Sequence, residues 1–171
     1  MSPNGRCVHC LKPLEVATAD HVFPRSWYPE NTPGSVQRWT VPCCVECNNR
    51  LSRIEQDLFI RLGLCMDPRA ALTSGIPAKA LRSLGVGTGK LSEKDRRHRE
   101  KLKERIATEL LSWEEIKGNP GILPGFGPHA EFPPEIQFAV RVPHASLVQL
   151  AEKIVRGLEF SDGRSLRRGP L

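Results

Sequence analysis

Four cysteines arranged as two pairs constrain this chain more than any other feature. CVHC sets Cys7 and Cys10 two residues apart, and after a gap of 33 residues CVEC does the same with Cys44 and Cys47. A two-residue spacer suits a knuckle turn that aims both sulfurs at one point, so two such turns bring four thiolates around one tetrahedral ion. The pattern predicts a structural zinc on Cys7, Cys10, Cys44 and Cys47. Four thiolates leave no open coordination position, so chemistry falls to other groups. Structural zinc in small modules contributes about 10–16 kcal/mol, comparable with the whole stability of a typical domain. Cys43 offers a longer spacer to Cys47; the shorter one selects Cys44 and leaves Cys43, like Cys65, as a core thiol. His9, inside the first knuckle, is expected to face solvent.

The rest of the N-terminal stretch reads as a hairpin followed by a helix. VATADHVF is a first strand and RWTV a second, separated by SWYPENTPGS, which is rich in turn formers. Beyond Cys44, Leu51, Ile54, Leu58 and Leu62 recur at three and four positions, the spacing of one buried helical face. Residues 7 to 62 therefore form two strands and a helix, stapled at the base by zinc.

The chain after residue 64 is expected to be a helical extension. GVGTGK at 85–90 is a break, and Ser92 with Asp95 fits a capping box opening a helix to about residue 116, with an apolar stripe of Leu102, Ile106, Leu110 and Trp113. GNPGILPGFGPHAEFPP reads as loop. Ile136, Phe138, Val140 and Val142 alternate as a half-buried strand does, and Leu147, Leu150 and Ile154 mark a last helix ended by Gly157. The fold class is α+β: a zinc-stapled ββα module over 1–64, then a mostly helical basic extension over 65–171 with one or two short strands, packed as one compact unit.

Charge points to the partner. The chain carries a net +6 with a pI of about 9.2, which favours a polyanion. Residues 1–60 hold six Lys or Arg against six Asp or Glu, so the whole excess lies beyond them. No apolar run approaches the roughly 18 residues of a membrane span, and the first thirty residues lack an apolar signal core. Six cysteines without such a signal belong in a reducing compartment, which places the protein in the cytoplasm with metal rather than disulfides on its CxxC pairs.

Asp20 and His21 stand side by side in the first strand, and the zinc clamp draws the start of the helix, with Asn48 and Asn49, toward them. A carboxylate, an imidazole and a carboxamide meeting at one point suit a divalent-metal nuclease: oxygens hold a hard cation while neutral histidine takes a proton from water. Each residue also has a plainer use. Asn48 caps helices well, with Asn49 then free to ligate, and adjacent strand residues point to opposite faces, so joint action of 20 and 21 requires a twist or strand end, which Pro24 supports.

Taken in order, CVHC, ADHVFP and CVECN resemble the HNH endonucleases, the ββα-metal nucleases, in their branch with a four-cysteine zinc site. The likeness spans residues 7 to about 57. It implies His21 as general base, and Asp20 and Asn48 as ligands of a catalytic divalent cation, magnesium or manganese, beside the structural zinc. One position departs from the pattern: where the family has an asparagine that orients the histidine, this chain has Trp39, leaving a backbone carbonyl or Gln37 for that task. Where the family often has a lysine, Leu51 stands between Arg50 and Arg53.

The expected partner is nucleic acid, DNA before RNA, and with no apolar run long enough to span a bilayer no membrane role is expected. Candidate phosphate contacts are Arg38, Arg50 and Arg53 in the module, and Arg96, Arg97 and Lys101 on the long helix, with Arg99, Lys103, Arg105 and the tail arginines 164, 167 and 168 behind them. The long helix also carries Glu93, Asp95, Glu100 and Glu104, as a simply solvated face does. Two other classes use the same zinc: a nucleic-acid-binding ribbon without catalysis, and a scaffold whose hairpin site is degenerate.

Overall fold

In the computed structural model the described residues are 5–85, 92–116 and 138–166. They form a mixed α+β protein with two small antiparallel sheets. Strand β1 (Thr18–His21) pairs with β2 (Thr40–Cys43), and helix α1 (Val45–Leu64) follows directly. Helix α2 spans Ile76–Ser83, α3 Glu93–Thr108, strand β3 Leu110–Ser112, the short helix α4 Trp113–Ile116, strand β4 Phe138–Val140 and helix α5 His144–Leu166. None of the helices is long and apolar enough to cross a membrane.

The residues cluster into two units. One takes the chain up to Tyr28, Thr32–Leu58 and the chain from Pro143; the other takes Pro29–Asn31 and Phe59–Val142. Helix α5, expected as part of the extension, is thus grouped with the N-terminal module.

In the first unit the knuckle closes through the Cys7 N–H to the Lys12 carbonyl (2.9 Å) and the Leu11 N–H to the Cys7 carbonyl (2.9 Å), with Leu11 in the left-handed region at φ 62°. The Val8 N–H reaches the Pro42 carbonyl at 3.0 Å, tying the knuckle to β2. Two apolar clusters result. One holds Cys7, Cys43 and Cys47 with Leu14 beside them; the other holds Val8, Val22 and Val41, covered by Ile154, Leu158 and Phe160 of α5. In α1, Leu51 and Leu58 are buried, while Ile54 and Leu62 are half-buried.

The second unit is built on Phe59, Ile60, Ile76, Ala80, Leu84, Leu102 and Ile106. Helices α1 and α2 approach so closely that a Cβ on Gly63 would lie 2.8 Å from that of Ala80. Helix α2 buries Ile76, Ala80 and, at its C-terminal cap, Leu84 at four-residue spacing, and its start is marked by Gly75, in the left-handed region at φ 73°, and by Pro77 in its first turn. The Ser92 hydroxyl accepts from the Asp95 N–H at 3.1 Å, the cap expected for α3.

Three boundaries differ from the sequence reading. Helix α3 ends at Thr108 instead of continuing to 116, because Leu110–Ser112 leave the helix to pair with Phe138–Val140. Strand pairing between distant segments satisfies the backbone there, which helical periodicity cannot anticipate. Gly157 does not end the last helix, which runs on to Leu166. It is an interior glycine, placed where α5 meets Val22. Of the expected strand, Ile136 lies outside the described residues, as do most of the 85–90 break and the whole of GNPGILPGFGPHAEFPP.

Candidate metal centre and hairpin site

The two knuckle turns bring Cys7, Cys10, Cys44 and Cys47 together, with all four sulfurs within 4.8 Å of one another. Zinc–thiolate bonds of about 2.3 Å in a tetrahedron set sulfurs about 3.8 Å apart, and the Cys10 and Cys44 Sγ atoms lie 3.8 Å apart. The cluster fits a zinc ion. Its electrostatics also call for a cation. Burial pushes the Cys7 and Cys47 thiols up, yet backbone N–H groups of Cys44, Cys10 and His9 bring Cys7 down to about 6, while burial holds Cys47 at about 12. One thiolate among buried thiols discourages the next; a bound divalent ion removes that conflict and deprotonates all four.

Cys44 has a second use. It immediately precedes α1, and its sulfur accepts the Cys47 N–H at 3.4 Å, so the helix is capped by a metal-site thiol. Asn48 is not the cap: its own N–H already reaches the Cys44 carbonyl at 3.0 Å within the helix. Its side-chain amide instead donates to Thr18 Oγ1 at 3.0 Å, and Thr18 Oγ1 donates to the Cys43 carbonyl at 2.8 Å, pinning the first turn of α1 to the hairpin. The Asn48 amide oxygen has no hydrogen-bond partner among the described residues. Asn49 is exposed. Cys43 is fully buried, and its thiol donates to the Cys44 carbonyl at 3.3 Å; burial pushes it far above the ordinary thiol range.

Asp20 and His21 take opposite faces of β1, as neighbouring strand residues do. Asp20 lies opposite Val41 on the buried face and is only 5 % exposed; His21 lies opposite Thr40 and is half-buried. One Asp20 oxygen meets His9 Nε2 at 2.8 Å, the other meets the Lys153 ammonium of α5 at 3.1 Å. His9 is therefore buried rather than solvent-facing, because the knuckle turns it under the hairpin toward a carboxylate. His9, Asp20 and Cys43 present ligand-type atoms within 4.8 Å of one another, with the Lys153 ammonium beside them. The His21 carbonyl also accepts from Lys153, at 2.6 Å. The His21 ring makes no hydrogen bond among the described residues, and its buried Nδ1 is without a partner. Neither Gln37, which is exposed, nor a backbone carbonyl holds it. Trp39 is 42 % exposed and uses its carbonyl to accept the Val22 N–H.

No hydrogen bond joins Asp20, His21 and Asn48 to one another among the described residues. Two groups important here escaped the sequence reading: Lys153, fully buried, and Glu55, which forms an ion pair with it. Burial raises the Glu55 carboxyl above its ordinary range, against the pull of that ammonium.

The candidate phosphate contacts are exposed. Arg38 lies over the Tyr28 ring with its guanidinium 5.2 Å from the centroid, Arg50 donates to Gln149 Oε1 at 2.6 Å, and Arg53 faces solvent. On α3, Arg96 and Arg97 both pair with Glu93 and Lys101 is exposed. Arg164 belongs to α5, while residues 167 and 168 lie outside the described residues. Comparison of the chain with protein-family models, with curated proteins and with solved structures finds no match.

Proposed function

We propose that the N-terminal unit is a nuclease module of the ββα-metal (HNH) type, hydrolysing phosphodiester bonds in DNA. The observation that carries this reading is His21: a strand-end imidazole with a buried, unpartnered Nδ1, on a hairpin that a four-cysteine clamp fastens to the first turn of a helix. A neutral imidazole keeps one ring nitrogen as a proton acceptor, and the half-buried His21 ring has neither nitrogen held by a partner among the described residues. His21 takes a proton from water as that water attacks phosphorus in line, and the exposed Arg38, Arg50 and Arg53 hold flanking phosphates. The N-terminus of α1 favours negative charge nearby. Six free cysteines suit a reducing compartment, and we assign the protein to the cytoplasm.

A magnesium or manganese ion, when bound, supplies charge to stabilise the departing oxygen. Among the ligands the HNH likeness implies, Asn48 fits, since its amide oxygen is unengaged. Asp20 does not fit as it stands, since both its oxygens are taken by His9 and Lys153. That second observation favours the alternative reading, a non-catalytic zinc module that binds nucleic acid or acts as a scaffold, in which Asp20 is structural.

Cleavage of supercoiled plasmid with a metal series separates the two. The nuclease reading expects nicking that requires added magnesium or manganese and falls by about 10²- to 10⁴-fold in His21→Ala, with zinc content unchanged. Purified protein that binds DNA but does not cleave it, or whose cleavage survives His21→Ala, refutes it.

A further inference from the structure

The Lys153 ammonium donates to the His21 carbonyl and to the Glu55 carboxylate, and forms an ion pair with Asp20 Oδ1 at 3.1 Å. It is 2 % exposed, and it comes from α5, more than a hundred residues along the chain from the hairpin it serves. The surrounding contacts reinforce it. Asp20 Oδ2 is occupied by His9, and the His9 carbonyl in turn accepts from Arg156 at 2.7 Å, one turn further along the same helix. A carboxylate with one oxygen on an imidazole and the other on a buried ammonium has neither a free oxygen nor an uncompensated charge for a divalent ion.

We propose that Lys153 is the resident cation at Asp20. Asp20 then acts as a positioning residue that locks Lys153 beneath the strand, Lys153 fixes the backbone of His21 through its carbonyl, and any divalent ion at the hairpin site is held without Asp20. This rests on the nuclease reading only for the role of His21; the closed state of Asp20 holds for a non-catalytic module as well.

The test uses zinc-loaded full-length protein. In the wild type, nitrogen-15 lysine labelling is expected to show a slowly exchanging ammonium that disappears in Lys153→Arg and is unmoved by saturating magnesium. Manganese affinity, measured by equilibrium binding, is expected to change by no more than about twofold in Asp20→Asn, where losing even a group that supports a metal ligand costs about 10- to 100-fold. Lys153→Met is expected to gain a manganese site that Lys153→Met/Asp20→Asn lacks. An ammonium signal that is absent, or that shifts or vanishes with magnesium, overturns the proposal, as does a tenfold or greater loss of manganese affinity in folded Asp20→Asn. If the wild type binds no manganese, the nuclease reading fails, while the ammonium signal and its response to magnesium still decide this one.

Discussion

Glu55 and Lys153 each occupy a position where a helical apolar stripe calls for a hydrophobe. Glu55 falls between Leu51 and Leu58 on α1; Lys153 falls between Leu150 and Gly157 on α5. A charge of opposite sign in each of two core-facing stripes is a signal that the two helices share an ion pair, because neither charge can be buried alone. That signal lay in the sequence, but only a pattern of two helices against one hairpin turns it into a pair. Arg61 repeats the theme in the second unit: it is 1 % exposed and donates to Glu109 Oε2 and to the Arg141 carbonyl, both at 2.5 Å. The Arg61 hydrogen bond is the main cause holding the Glu109 carboxyl below its ordinary range. A carboxyl lowered in the folded state adds stability that is full above its unfolded value of about 4.3 and is lost as pH falls through the lower folded value. Glu109→Gln is therefore expected to cost about 1–3 kcal/mol at pH 7, and the difference from wild type to shrink as urea unfolding is repeated at successively lower pH below 4.3. A difference that stays constant with pH would assign the Arg61–Glu109 contact to hydrogen bonding without charge.

At the scale of elements, what was legible followed from local rules. Paired CxxC spacing, strand composition and a three-and-four period were enough for the knuckles, β1, β2, α1 and the Ser92 cap, since each depends on residues within a few positions of one another. What was not legible depended on contacts across the chain. Helix α3 stops early because Leu110–Ser112 pair with a strand nearly thirty residues away, and Gly157 looked like a helix terminator when it is a contact point. A Cβ at 157 would lie 2.9 Å from both methyl carbons of Val22, closer than side chains pack, so glycine lets α5 settle onto the hairpin. An interior helical glycine normally costs about 1 kcal/mol against alanine, yet overpacking a tight contact costs about 1–3 kcal/mol. Gly157→Ala is expected to destabilise the first unit on balance in thermal unfolding, and Gly157→Ala/Val22→Ala to show a favourable coupling when the two single changes are compared with the double. A stabilised Gly157→Ala would mean that α5 stands further from β1.

For the whole molecule, the two units rest on different supports. The second buries larger apolar side chains, among them Phe59, Ile60, Ile76, Leu84, Leu102 and Ile106, whereas the first builds its hairpin around cysteines and three valines, with α5 laid over the valines. A hairpin with so few apolar side chains needs a further source of stability, and structural zinc in small modules contributes about 10–16 kcal/mol, as large as a typical domain's stability. Chelation is therefore expected to release one zinc per chain and to expose amides of β1, β2 and α5 to rapid hydrogen exchange, while α2 and α3 keep their protection. The ligand set is separable from the neighbouring thiol: Cys43→Ser is expected to retain stoichiometric zinc, because Cys43 packs beside the cluster and spends its hydrogen on the Cys44 carbonyl, and Cys47→Ser to lose it. Equal loss of zinc from both variants would make Cys43 a ligand and shift the clamp by one residue. Chelation that leaves β1 protected would show that Lys153 and its two carboxylates hold the hairpin unaided.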